Sequence, residues 1–257
     1  MNAAILMLSF GDRPWAKVAF ETVKFYSKKI GAEAFLIEND VSDEEFSLGE
    51  FLETERRKNK RAYALKTYFA WKYLDAGFDR VAVIDDSCSI HPRTPPIFAA
   101  VPNGCIGYTL TSNVHAAKSF EMISDFQRSR GEKSITLDAG MYGNSGVVVY
   151  DRSMIDSFSP DRIIDARDLL YNDFPHQTLL YYLVMRAAVP VHILPKSYNR
   201  MPGMSLGKAE RKNLLSVGNL LDREEFFITH YSGLYRNRDK LIVETSEKFI
   251  QAWRGGR

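Results

Sequence analysis

A mixed α/β fold with a mostly parallel sheet flanked by helices is what this sequence predicts, and three observations predict it. Short continuous apolar runs at 3–9, 34–37 and 81–84 alternate with amphipathic stretches at 15–30 and 61–76. Each amphipathic stretch is closed by a glycine, Gly31 and Gly77. The chain of 257 residues is 45% apolar, enough to bury a large core without staples. No Pro/Gly/Ser-rich linker divides it, so a single domain over 1–257 is expected.

The elements follow in order. Residues 3–9 form a run of the kind buried on both faces of a sheet. Residues 15–30 carry Val18, Phe20, Val23 and Tyr26 among lysines, at the period of a helix with one apolar face. A short strand at 34–37, a second helix at 61–76 and a strand at 81–84 complete a strand–helix–strand–helix–strand pattern. The second half is less regular. Strands are predicted at 105–110, 146–150, 191–194 and 226–229, and helices at 176–186 and 240–253.

Composition excludes several classes. A net charge of +2 and a pI near 8.4 give no field that calls for nucleic acid. No run reaches the ~18 apolar residues of a spanning helix. The first ten residues lack a basic leader and run into Gly11-Asp12-Arg13-Pro14, so they read as a strand rather than a signal peptide. Two cysteines without a CxxC suit a reducing compartment, and the expected location is cytoplasmic. Neither GxGxxG nor a P-loop occurs, which ranks a nucleotidyltransferase last.

Three groups of residues carry chemistry. Asp85, Asp86 and Ser87 follow the strand at 81–84, where open α/β sheets bind ligands. Two acids there suit a divalent cation carrying a pyrophosphate; the same pair also suits a turn in which Asp85 caps the next segment. His230 follows another strand and is succeeded by Gly233 and Arg236, a set able to clamp a diphosphate. Asn144-Ser145-Gly146 precedes an apolar strand; it offers neutral hydrogen bonds for a sugar hydroxyl and room for close backbone approach, or else an ordinary turn.

In this order the segments resemble those of GT-A fold glycosyltransferases, most closely the retaining family 8 type. VAVIDDSCSI at 81–90 resembles a strand entering an Asp-x-Asp metal motif. Asn144-Ser145-Gly146, His176-Gln177, Leu194-Pro195 with Tyr198-Asn199, and His230-Tyr231-Ser232-Gly233-Leu234-Tyr235-Arg236 resemble that family's later segments. The resemblance implies a GT-A, Rossmann-like architecture and a nucleotide-sugar donor of UDP type, with a saccharide or other hydroxyl compound as acceptor. It implies a Mn²⁺ or Mg²⁺ site at Asp85, Ser87 and His230. Donor contacts would come from Asp12, Lys66, Asp86, Gly146, Gly233 and Arg236, and catalytic contacts from Gln177, His176 and Asn144.

Two positions depart from the pattern. Ser87 replaces a metal carboxylate, and His176 stands where the family has an aspartate. These departures motivate an alternative, a protein that binds nucleotide sugars without turnover. No protein nucleophile stands out. Inversion would need a carboxylate base, for which Asp138 and Asp173 are the candidates. The basic stretch 203–218 reads either as a loop closing over the donor or as solvated surface.

Overall fold

The computed structural model describes residues 1–38, 58–111, 113–171, 174–201, 227–232 and 237–255. A six-stranded sheet runs through its centre in the order β2-β1-β3-β6-β5-β7. The strands are β1 (Ala3–Leu8), β2 (Glu33–Ile37), β3 (Arg80–Asp85), β5 (Ile106–Leu110), β6 (Gly143–Asp151) and β7 (Val191–Ile193). All pairings are parallel except those of β6, which runs against both β3 and β5. The mostly parallel sheet is therefore as predicted.

Continuous apolar runs work here because both faces of the sheet are covered. Along β1, Ala4, Leu6 and Leu8 enter one core while Ala3, Ile5 and Met7 enter the other. Strands β3 and β6 divide in the same way, Val81 and Val83 to the first core and Ala82 and Ile84 to the second. The first core is closed by α2 (Lys58–Asp75), α3 (Asn113–Ser129) and α5 (Pro175–Arg186). The second is closed by α1 (Ala16–Ile30) and α6 (Arg238–Gly255). A short α4 (Pro160–Asp165) adds Ile163 to the first core.

Helix α1 ends as predicted at Gly31, whose φ of 70° is the left-handed cap conformation that favours glycine. Three features differ from the sequence reading. Asn144, Ser145 and Gly146 lie inside β6 rather than in a turn before it, because the strand begins at Gly143 and is buried throughout. Helix α3 has no counterpart among the predicted helices, and His115 lies in its first turn. The strand expected at 226–229 is β8 (Ile228–His230), paired antiparallel with β4 (Cys88–Ile90) in a separate two-stranded sheet.

That small sheet positions the site. Its register sets His230 opposite Cys88, three residues beyond Asp85. The amide of Tyr231 donates to the Ser87 carbonyl at 3.0 Å, and Ser89 and Ser246 hydroxyls meet at 2.7 Å to fasten α6. The segment leading from β4 to β5 is anchored by two buried side chains. Tyr26 donates its hydroxyl to the Pro95 carbonyl at 2.6 Å and accepts the Ile97 amide at 2.7 Å. Arg80 donates to the carbonyls of Phe98 at 2.6 Å and Val101 at 2.8 Å.

Candidate active site

Asp85 ends β3, at the carboxyl edge of the parallel strands. One of its oxygens pairs with the Lys66 ammonium from α2, and Oδ2 lies 3.3 Å from His230 Nε2 at the end of β8. Three segments far apart in sequence thus converge on one carboxylate. Burial alone would raise the Asp85 carboxyl; its neighbours, the Lys66 charge foremost, outweigh that and hold the group well below the usual carboxylate range. Asp85 is therefore an anion compensated by neighbours, which is what makes an acid tolerable at this depth.

Asp86 turns the other way. It accepts from the Ser9 hydroxyl at 3.1 Å, and Arg13 Nε lies 3.7 Å from the same oxygen. Burial, and then the neighbouring Asp85 charge, push its carboxyl upward against the pull of Arg13 and Ser9. Arg13 also lies over the Trp15 ring at 5.2 Å, and Arg238 over that ring at 5.3 Å. Asp12 itself is exposed on the turn after β1, so its neighbour Arg13 is the residue from this turn that reaches the acidic bend.

His230 is held from behind. Its Nδ1 lies 2.8 Å from Asn199 Oδ1, and Asn199 Nδ2 donates to Asn144 Oδ1 at 2.7 Å and to Thr109 Oγ1 at 3.2 Å. Asn144 Oδ1 also accepts the Gly146 amide at 2.8 Å. Asn199 ends a short 3-10 turn, Lys196–Asn199, whose neighbour Arg200 exchanges backbone bonds with β8. The imidazole rests on Gly146: a Cβ there would fall 2.3 Å from both Nδ1 and Cε1 of His230. In this structure the space that a glycine leaves at 146 is taken by the ring rather than left open to a ligand.

His176 and Gln177 open α5, with Pro175 at its start. His176 is 1% exposed, and its Nε2 lies 2.9 Å from the Thr67 hydroxyl, one residue from Lys66. Burial, and then the Lys66 charge, hold its imidazole well below its ordinary range against the opposing pull of Asp85. His176 Nδ1 and Gln177 Oε1 are buried without a hydrogen-bond partner among the described residues.

The structure therefore brings Lys66, Asp85, Asn144, Gly146 and His230 into one connected set and sets His176 and Gln177 on the helix beside Thr67. Gly233, Arg236, Asp173 and the stretch 203–218 lie outside the described residues. Asp138 caps the 3-10 turn Ala139–Met141, accepting the Gly140 amide at 2.8 Å. Sequence reasoning gave no role to Asn199, Thr109, Thr67 or Ser9. Asn199 stood inside a segment with family resemblance, whereas the other three carry no local signal.

Two of the three residues expected to hold a cation, Asp85 and His230, face each other. Asp85 Oδ2 and His230 Nε2 lie 3.3 Å apart, near enough for both to reach one ion. A carboxylate oxygen and an imidazole suit a divalent metal. Ser87 is buried, and no cluster of three or more His, Cys, Asp or Glu forms among the described residues. The residues fit as a two-ligand site whose other positions would fall to substrate oxygens and water.

No family model matches the sequence, and no curated protein does. Solved structures do. The chain superposes on the WbbM bifunctional glycosyltransferase with a TM-score of 0.59 at 12% identity, over 97% of this chain and 51% of that one. It superposes on a glycosyltransferase involved in glycosylation of the major capsid of PBCV-1 with a TM-score of 0.54 at 16% identity, over 98% and 100%. For GlyE of Streptococcus pneumoniae TIGR4 the TM-score is 0.55 at 13% identity, over 100% and 64%. The chain has a glycosyltransferase fold of GT-A type. It spans about half the length of WbbM and the whole of the PBCV-1 enzyme. No helix among the described residues is long and apolar enough to cross a membrane.

Proposed function

We propose that this chain transfers a sugar from a nucleotide-diphosphate sugar, of UDP type, to a hydroxyl acceptor, with retention of configuration as in the family 8 enzymes it resembles. The observation that carries the reading is the convergence of Lys66, Asp85 and His230 at the carboxyl end of β3. Ligands of open α/β sheets bind at that edge.

The chemistry asks for little covalent help from the protein. The anomeric carbon–oxygen bond to the diphosphate breaks, and the acceptor oxygen forms the new bond to that carbon. The acceptor proton leaves to a diphosphate oxygen. Charge builds on the departing diphosphate, so a fixed cation aimed at it lowers the barrier. Lys66 supplies one such cation, held in place by Asp85. Asp85 and His230 would hold a Mn²⁺ or Mg²⁺ ion, which when bound neutralises further leaving-group charge. Arg13, which lies beside Asp86, is proposed to meet the nucleotide end of the donor. Gly233 and Arg236 are proposed as further diphosphate contacts, Asn144 and Gln177 as contacts to the sugar, and the cytoplasm as the place of action.

A binding protein without turnover is the second reading, and His176 favours it. Its buried ring faces Thr67 and brings no carboxylate to the sugar. One experiment separates the two. Nucleotide sugars are screened by thermal shift and by donor hydrolysis, with and without Mn²⁺. The transferase reading expects a UDP-sugar to raise the melting temperature and to be hydrolysed slowly, both effects being lost in Asp85→Asn. Stabilisation without hydrolysis or transfer favours binding alone, and no stabilisation by any nucleotide sugar overturns both.

A further inference from the structure

The buried polar chain behind His230 determines more than the position of the ring. It begins at a group whose role has no ambiguity. The Gly146 amide can only donate, and it points at the Asn144 side chain from 2.8 Å. The atom of Asn144 that receives it is therefore the amide oxygen. That oxygen also faces Asn199 at 2.7 Å, and an oxygen requires a donor there, so Asn199 presents its NH₂ group to Asn144. The NH₂ group also reaches Thr109 at 3.2 Å. The remaining atom of Asn199 is its carbonyl oxygen, an acceptor with no proton to give, and it lies 2.8 Å from His230 Nδ1. Nδ1 must then carry the proton. Asn144, Asn199 and His230 are 5%, 3% and 3% exposed, so water does not compete freely for these bonds.

We infer that Asn199, oriented by Asn144 and the Gly146 amide, is a positioning residue that fixes the proton of His230 on Nδ1 whenever the ring is neutral, and leaves Nε2 as the nitrogen turned toward Asp85. A neutral imidazole in free solution prefers the opposite tautomer, so the choice is made by the backing chain. A lone pair facing a carboxylate across 3.3 Å repels unless positive charge stands between them. With Nδ1 committed to Asn199, Nε2 is the nitrogen left to meet that positive charge, a bound cation or a proton, beside Asp85. This pattern, a ring N–H held from behind by an oxygen, orients metal-binding histidines generally. The catalytic meaning of the inference rests on the site reading proposed above; the tautomer itself does not.

The test is a long-range ¹H–¹⁵N spectrum of the histidine rings in the full chain, at a pH where the ring is neutral, with His230→Gln identifying the signal. The wild-type ring is expected to carry its proton on Nδ1. Asn199→Leu removes the acceptor and moves the proton to Nε2. Asn144→Asp keeps an acceptor for both Gly146 and Asn199 and retains the Nδ1–H form; thermal melting checks that each variant is folded. Titration with Mn²⁺ alone, followed by electron paramagnetic resonance, is expected to give an affinity about 10–100-fold weaker in Asn199→Leu than in wild type. A wild-type ring protonated only on Nε2, or a tautomer unmoved by Asn199→Leu, overturns the inference. An Nδ1–H ring in a protein that binds no Mn²⁺ upholds the tautomer lock and instead removes the cation from the proposed function.

Discussion

Gly146 and His230 occupy each other's space: the imidazole lies where a side chain at 146 would stand, 2.3 Å from the position of its Cβ. The smallest substitution, Gly146→Ala, must push the ring away from β6. That movement separates Nδ1 from Asn199 and Nε2 from Asp85. We expect a loss of about 1–3 kcal/mol from overpacking, seen in urea or thermal unfolding. Stabilisation by a nucleotide sugar should vanish with it. An alanine variant of unchanged stability and ligand response would mean that the ring is not confined there.

Lys66 and Asp85 form a largely buried pair, so removing either partner strands the other. Asp85→Asn should destabilise the folded chain by about 3 kcal/mol, the low end for a broken buried pair. Lys66→Gln should lower kcat for sugar transfer by about 10²–10³-fold if, as proposed, its cation serves the leaving group. Steady-state kinetics on the two variants check this. A Lys66→Gln enzyme with a normal kcat would remove Lys66 from the chemistry and leave it a structural counter-ion.

The stability of the chain should fall in acid in two steps. His176 is kept neutral by burial, so its folded-state pKa lies below its unfolded value. Between those values the unfolded chain binds the extra proton. Stability is lost as the pH falls below about 6.5, by up to about 1.4 kcal/mol per unit. Asp85 has a depressed folded-state pKa, so its contribution is complete above about pH 4. It is lost as the pH drops from there through the lower folded value. Denaturant melts from pH 7 to 3 should show both steps, and His176→Asn should flatten only the first.

Arg80 is a structural counterpart to the site. Its buried guanidinium donates to Phe98 and Val101 carbonyls at 2.6 and 2.8 Å, and its Nε lies 3.5 Å from Asp151. Arg80→Met keeps much of the volume but takes the donors from those two carbonyls and the charge from beside Asp151, which keeps its bonds from Ser153. A loss of about 3–5 kcal/mol is expected in equilibrium unfolding. A change below about 1 kcal/mol would mean that water or a rearranged backbone satisfies those groups.

Local sequence was sufficient for what local physics decides. The alternation of apolar runs with amphipathic stretches determined the strands β1, β2 and β3, the helices α1 and α2, and the parallel arrangement of those strands. Each element states its own period, and each must cover the same sheet. The acidic bend at 85–86 and the histidine at 230 were legible too, because charged and titratable groups at strand ends are conspicuous against apolar neighbours. Tertiary structure alone decided which groups meet. Nothing local tells Asp85 to face Lys66 and Asp86 to face Ser9, or puts Asn199 behind a histidine that lies beyond the stretch 202–226. The amide of Gly146 orients His230 through two asparagines drawn from distant segments. Such bonds depend on the register of β4 with β8 and of β5 with β6. Register follows from how the two cores pack, a property of the whole chain and not of any stretch within it.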